Sequence, residues 1–179
     1  ATQNLATMFV NGMVLTTSDR IEEGDHIKTG NGLTGRVQKI GWFQTTIRHY
    51  NEVEEIIPNS ELGMQRVSNL SRMKKCQVKQ ELRVKYEDID KLETFLPSIL
   101  EEVKAACPKV ITNGSRPLRA YLTDFKEDHV RIMVDTHHDV PPMGEVYHKN
   151  RHECLLAIHR AAKKNGVEFV VGLYPNGIN

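Results

Sequence analysis

The chain has 179 residues, 39% hydrophobic and 26% charged, which excludes a disordered chain and allows one medium domain or two small ones. The formal net charge of +1 argues against a strongly basic nucleic-acid binder, although residues 1–71 hold 6 Lys and Arg against 8 Asp and Glu while residues 72–179 hold 18 against 15. Cys76, Cys107 and Cys154 are odd in number, widely spaced and never C-x-x-C, which argues against a disulfide framework or zinc ribbon and for a reduced compartment.

Residues 1–18 carry no charge, and eight of them are polar. A membrane span takes roughly 20 predominantly apolar residues, so this stretch is too short and too polar to cross a bilayer alone. Leu5, Met8, Phe9, Gly12 and Met13 follow helical spacing, and an amphipathic helix is expected. Two readings stay open: a helix packed on the next domain, or one lying at a membrane interface, where Ala6 and Gly12 permit close helix packing. No signal peptide is expected, because the stretch lacks a basic start. The chain opens on Ala, so a processed or excised piece is expected.

Residues 19–71 read as short strands punctuated by Gly24, Gly30, Gly32, Gly35 and Gly41. Val37 and Ile40 fall in one strand, Ile47 in the next, and Val53, Ile56 and Ile57 in a third, closed by a Pro58-Asn59-Ser60 turn. Asn31-Gly32 predicts a tight hairpin with positive φ at both central residues. Gly30 and Gly32 are not followed by the spacing a phosphate-cradling loop needs.

Residues 72–179 change character. Val78, Leu82, Val84 and Tyr86 alternate as a strand with one solvent face. Ile89, Leu92, Phe95, Leu96, Ile99, Leu100 and Val103 form a helical stripe, with Asp88 expected to cap its start and Pro108 following its end. Leu118, Ala120 and Leu122 predict a strand, and Val130, Ile132 and Val134 another, around a turn at 126–128. Tyr147 to Lys164 predicts a second helix ended by Gly166. Val167 to Val171 is the expected last strand. The order β-α-β-β-α-β is a ferredoxin-like layout, so the whole is expected to be α+β.

The chemistry of an enzyme is not evident. His148 and His152 lie four apart on one helix face, with His137 and His138 nearby, but the H-E-x-x-H spacing of a zinc site is missing, and surface or partly packed histidines are the ordinary alternative. Cys154 and His159 are five apart and point to different faces. Asp88 with Asp90, and Glu101 with Glu102, are ordinary helix carboxylates. Arg66, Arg72, Lys74, Lys75, Lys79, Arg83 and Lys85 form a basic run broken by Glu81. It suits RNA binding, a solvated face, or a charged lining that biases ions; the aromatic strand motif of an RNA-recognition domain is absent.

Gly24-Asp25, Gly35-Arg36-Val37, Thr45-Thr46-Ile47-Arg48 and Ile57-Pro58-Asn59-Ser60 occur in the order and spacing of the β-domain of the small-conductance mechanosensitive channel (MscS) family, which the chain resembles. Asn11-Gly12 before it, Asn69-Leu70-Ser71-Arg72 after it, and Gly166-Val167-Glu168-Phe169 with Tyr174-Pro175 extend the resemblance over nearly the whole chain. It implies three parts: the distal half of the third transmembrane helix at 1–18, lying along the membrane interface; an Sm-like β-domain at 19–71; and a ferredoxin-like domain at 72–179. It further implies a ring of like subunits, usually seven, around a water-filled cytoplasmic vestibule. Partners would be other copies, the bilayer and permeant ions, with no nucleic acid and no metal or other cofactor. Localisation would be a membrane, with the pore-lining half-helix and tension-sensing helices just before Ala1.

Within that resemblance, Asn11, Gly12, Pro58 and Asn59 would form the helix bend and its coupling to the β-domain. Gly24, Gly35 and Gly41 would be β-domain turns, and Asn69, Ser71 and Arg72 an interdomain junction. The sequence departs from the family at Asp19-Arg20-Ile21, where many members have Arg-Pro-Phe, and at Asn51-Glu52, where a D-G turn is usual. A short or absent C-terminal barrel seal is also expected, since the chain ends soon after the last strand. The competing expectation is a soluble oligomeric scaffold or RNA-binding module built on the same two folds.

Overall fold

A computed structural model describes residues 20–170 together with Val10, Met13 and Val14. Those three N-terminal residues are helical; the expected helix at 1–18 and its Asn11-Gly12 pair otherwise lie outside the described residues, as does Tyr174-Pro175. The chain divides into two compact units, Ala1–Met73 and Lys74–Asn179.

In the first unit, five antiparallel strands form one sheet in the order β4-β3-β2-β1-β5. They are β1 (His26–Thr29), β2 (Thr34–Ile40), β3 (Gln44–His49), β4 (Glu54–Pro58) and β5 (Val67–Asn69), with a short helix α1 (Asn59–Met64) between the last two. Alternate residues turn inward, as the pleat requires, and Ile21, Ile27, Val37, Ile47, Ile57 and Leu62 make the buried core. Ile21 occupies that core although it stands in the segment that departs from the family pattern.

Two expectations are corrected here. The 29–33 hairpin does not have positive φ at both Asn31 and Gly32: among these residues only Gly32 is left-handed, at φ 92°. Gly32 N–H bonds Thr29 O at 3.0 Å and Thr29 N–H bonds Leu33 O at 2.9 Å, the pattern of a three-residue loop whose last position is left-handed. The β3–β4 hairpin repeats this pattern, with Glu52 at φ 66° in the corresponding place. Pro58 is the second correction. It ends edge strand β4, opposite Gln44, rather than opening a turn. An edge strand tolerates its missing N–H, and Asn59-Ser60 starts a helix because Leu62, one turn in, is drawn fully into the core.

The second unit has a three-stranded antiparallel sheet, order β6-β8-β7. Its elements are β6 (Cys76–Val84), a 3₁₀-helix (Tyr86–Lys91), α2 (Leu92–Ala106), β7 (Arg119–Phe125), β8 (Val130–His138) and α3 (Gly144–Asn165). β6 alternates, with Cys76, Val78, Leu82 and Val84 facing the core and Gln77, Lys79, Glu81 and Arg83 facing solvent, but it ends at Val84: Tyr86, expected to continue it, is exposed and opens the 3₁₀-helix. The stripe from α2 (Phe95, Ile99, Val103) and the small residues of α3 (Ala157, Ala161, Ala162) cover the inner face of the sheet. Gly166, left-handed at φ 62°, ends α3, its N–H and that of Val167 closing on Lys163 and Ala162 carbonyls. Among the described residues the expected last strand is a single antiparallel bridge between Val84 and Phe169. Hydrogen bonds from Lys85 N–H to Glu168 O and from Val170 N–H to Arg83 O flank it.

Asp88 does not cap α2. Its carboxylate accepts the backbone N–H of Glu168 at 2.8 Å and the Lys91 ammonium at 2.5 Å, while Lys91 also donates to Gly166 O at 2.6 Å. The side chain thus ties the segment after α3 onto the front of α2. The Glu168 amide first, and Lys91 second, hold the Asp88 pKa below the ordinary carboxylate value. A depressed folded-state pKa adds stability that is full above the unfolded value, about 4, and disappears as pH falls through the folded value. Asp88→Ala is therefore expected to cost about 1–3 kcal/mol at neutral pH. That deficit should shrink in acid; thermal melts of both proteins at the two pH values check it, and a deficit that stays constant would sink the linkage.

Candidate functional site

Asn59 with Gly41, and Asn69 with Ser71 and Arg72, form two hydrogen-bonded locks in the first unit. The first is built on Asn59, fully buried at the start of α1. Its Oδ1 accepts from Thr45 Oγ1 at 2.7 Å, its Nδ2 donates to Gly41 O at 2.8 Å, and its backbone N–H donates to Phe43 O at 2.9 Å. One amide side chain thereby joins the end of β4, the strand β3 and the β2–β3 turn. Gly41 sits in that turn, where a Cβ would stand 2.9 Å from Gln44 O. Thr45, which stands in the Thr45-Thr46-Ile47-Arg48 motif, completes the lock, although the motif did not show its pairing with Asn59. A buried amide needs both a donor and an acceptor opposite it, which makes a Thr paired across strands the signal to look for.

The second lock joins the segment entering the sheet to the one leaving it. Asn69 Nδ2 donates to Asp25 Oδ2 at 2.6 Å and to Arg20 O at 3.3 Å, and Asn69 Oδ1 accepts Arg72 N–H at 3.2 Å. Ser71 Oγ accepts His26 N–H at 2.9 Å, and Arg72 pairs with Glu22 at 3.0 Å. Asn69, Ser71 and Arg72 therefore fasten the segment at 20–26 to the one that leaves β5. Gly24, at φ 95°, lies in the turn they enclose. Gly35 is not in a turn. It stands inside β2 between Ile27 of β1 and His49 of β3, where the strands come close.

Large apolar side chains stand out of this unit: Trp42 and Phe43 at the β2–β3 turn are 69% and 55% exposed, and Val53 and Ile56 by edge strand β4 are 54% and 58% exposed. Exposed apolar side chains beside a sheet edge are what a partner surface covers. His26 stacks on Tyr50 at 5.9 Å, and burial first, then Arg36, lowers its pKa.

In the second unit the histidines separate. His148 and His152 are exposed on α3, whereas His138 is fully buried and His137 bonds Pro117 O at 3.0 Å. Among the described residues no three or more of His, Cys, Asp and Glu come together as a metal site would require. Cys154 is buried and His159 exposed, so they do not form a pair. The basic run is divided between the units, and part of it is matched: Arg72 pairs with Glu22 at 3.0 Å and Lys85 with Glu168. No helix among the described residues is long and apolar enough to cross a membrane.

Residues 4–72 match the family model described as the mechanosensitive ion channel β-domain. The chain is 33% identical, over 74% of its length and 45% of the relative's, to the small-conductance mechanosensitive channel of Caldanaerobacter subterraneus subsp. tengcongensis. It is 27% identical, over 97% of its length and 48% of the relative's, to the large-conductance mechanosensitive channel MscMJLR of Methanocaldococcus jannaschii. Among solved structures, Arabidopsis thaliana MSL1 superposes with TM-score 0.82 at 22% identity, covering 93% of this chain and 59% of that one. Helicobacter pylori MscS in its closed state superposes with TM-score 0.77 at 18% identity, covering 99% and 66%. This fold, with a β-domain of this kind, defines the class of proteins built on the mechanosensitive-channel β-domain. The chain belongs to the MscS-like family. It spans about half the length or less of the curated relatives it matches.

Proposed function

We propose that the chain is the cytoplasmic vestibule portion of an MscS-like channel subunit, with residues 1–18 the distal half of the pore helix at the membrane interface. Residues 19–71 would be the Sm-like ring domain and 72–179 a ferredoxin-like domain. The sheet order, with the Val84–Phe169 bridge added beside β6, supports the second assignment. Seven copies would assemble, and the vestibule would filter ions and osmolytes released when membrane tension opens the pore. The observation that carries the reading is the β-domain match over residues 4–72.

This reading assigns the exposed apolar side chains along β4 and the β2–β3 turn, Ile56 and Trp42 among them, to contact between neighbouring copies. Aromatic anchors in such contacts are worth about 2 kcal/mol or more each, and about 1.4 kcal/mol is tenfold in affinity. Trp42→Glu with Ile56→Glu is therefore expected to weaken self-association at least about 100-fold. Native mass measurement should show rings of the unaltered chain and monomers of the double variant. Persistence of the ring in the variant would move the contact elsewhere; a monomeric unaltered chain would count against assembly by this portion alone.

The same reading gives Asn11, Gly12, Pro58 and Asn59 the coupling of the interface helix to the ring domain. In the full-length channel reconstituted in liposomes, Asn59→Ala is expected to change closing and inactivation kinetics under suction. Unchanged kinetics would remove the coupling role.

A further inference from the structure

The three cysteines, distant in sequence, meet at one end of the second unit's core. Cys76, Cys107 and Cys154 are all buried with free thiols. Cys107 follows the last turn of α2, and its Sγ lies 3.9 Å from the carbonyl oxygen of Asn150. In a helix that carbonyl accepts the N–H of the residue four later, here Cys154. The Cys107 sulfur therefore rests on the same face of α3 as Cys154, about one helical hydrogen bond from its backbone. On the other side, Thr136 Oγ1 lies 3.8 Å from Cys154 Sγ and 2.9 Å from His138 Nε2. His138 is fully buried, and its Nδ1 has no hydrogen-bond partner among the described residues. Cys107 also forms part of the wall of a mainly apolar cavity of about 470 Å³, with Pro108, Val140, Val146 and Asn150. A small neutral molecule can enter such a space without losing a charge's hydration.

We propose that Cys107 and Cys154 form a reversible intramolecular disulfide on exposure to hydrogen peroxide. One sulfur of the pair, as thiolate, attacks a peroxide oxygen; the O–O bond breaks, hydroxide leaves and takes up the proton the thiol released, and a sulfenic acid remains. The second thiol loses its proton and attacks that sulfur; the S–S bond forms, the S–O bond breaks, and the oxygen departs with the proton as water. Two thiols and one peroxide give one disulfide and two waters, with sulfur oxidised and peroxide reduced. The environment favours this pair over Cys76. Hydrogen bonding from Cys107 first, then from His138 and Thr136, makes Cys154 the more acidic thiol, while that shared hydrogen bond and then burial push Cys107 up. Burial raises Cys76 as well, and it has no comparable donor. The bond would fasten the end of α2 to the middle of α3.

The test treats the folded chain with a small excess of hydrogen peroxide and reads intact mass and a non-reducing peptide map. Expected is a loss of two hydrogens, a Cys107–Cys154 linked peptide, free Cys76, and full reversal by dithiothreitol. The oxidised form should also melt several degrees higher, on the order of 5 °C, because a cross-link restricts the unfolded chain. Cys107→Ser and Cys154→Ser should each abolish the two-hydrogen loss, and Cys76→Ser should keep it. The proposal is overturned by a linkage through Cys76, by an intermolecular bond, by oxygen addition without cross-linking, or by an unchanged mass. The map of the unaltered chain decides this even where a serine variant fails to fold.

Discussion

Gly35→Ala is expected to destabilise the first unit by about 2–3 kcal/mol, the range of a tightly packed site forced to accept a methyl group. A Cβ at this position would stand 2.6 Å from the Arg48 carbonyl oxygen and 2.7 Å from Ile47 Cγ2. The nearer atom is backbone of the interior strand β3, which is paired on its other side to β4 from Gln44 to Arg48. It cannot retreat without loosening a second ladder. Against this stands a gain of about 0.5–1 kcal/mol, because Ala orders more cheaply than Gly in a strand. The steric term wins. Gly63→Ala is the matched control: it lies inside α1 with open space where its Cβ would be, and a gain of about 0.5–1 kcal/mol is expected there. Urea unfolding followed by far-ultraviolet dichroism measures both. Equal effects at the two positions would show that close approach is not what reserves position 35 for glycine.

Position 35 also shows what a sequence reveals about this fold. A glycine among β-branched residues marks a place where backbone comes close, but a turn and a strand crossing leave the same mark. Only pairing with Ile27 and His49 separates them. Features set by local chemistry were legible: the alternation along β6, the stripe of α2, and Gly166 ending α3 all rest on neighbours within one or two turns. Features set by distant partners were not. Asp88 stands where a helix cap belongs, yet its amide partner is 80 residues away, at Glu168. Pro58-Asn59 reads as a turn until the buried Leu62 is seen to pull the segment into a helix. Cys107, Thr136, His138 and Cys154 come from the end of α2, from β8 and from α3, and no spacing in the chain announces their meeting. The candidate site was half visible: Asn59, Asn69, Thr45, Gly41 and Asp25 all stood out within the family resemblance, while which of them bond to one another required the pairing of strands.

Asn59→Ala is expected to cost about 2–5 kcal/mol, since two polar groups lose their partner at once and each orphaned group costs about 1–3 kcal/mol. Thr45 Oγ1 would lose its acceptor and Gly41 O its donor, around a residue that is 0% exposed. Asn59→Asp separates this account from simple cavity formation. The carboxyl group matches the amide in shape, so packing is kept and only the Nδ2 donor is exchanged. Ionised, it sets a negative oxygen against the Gly41 carbonyl; protonated, it can donate to that carbonyl while still accepting from Thr45. Burial and the lost donor raise its folded-state pKa above the ordinary value of about 3.9. With the folded value raised, its contribution is full below the unfolded pKa and disappears as pH rises through the folded one. Asn59→Asp is therefore expected to approach the unaltered protein in acid and to fall toward Asn59→Ala at neutral pH, whereas the Asn59→Ala deficit stays flat. Urea midpoints across that range read the difference. An Asn59→Asp variant as stable as the unaltered protein at every pH would mean that volume, not the donor to Gly41, sets the role of this residue. The lock would then be unable to hold the β2–β3 turn, and with it Trp42 and Phe43, in the position that the proposed ring contact requires.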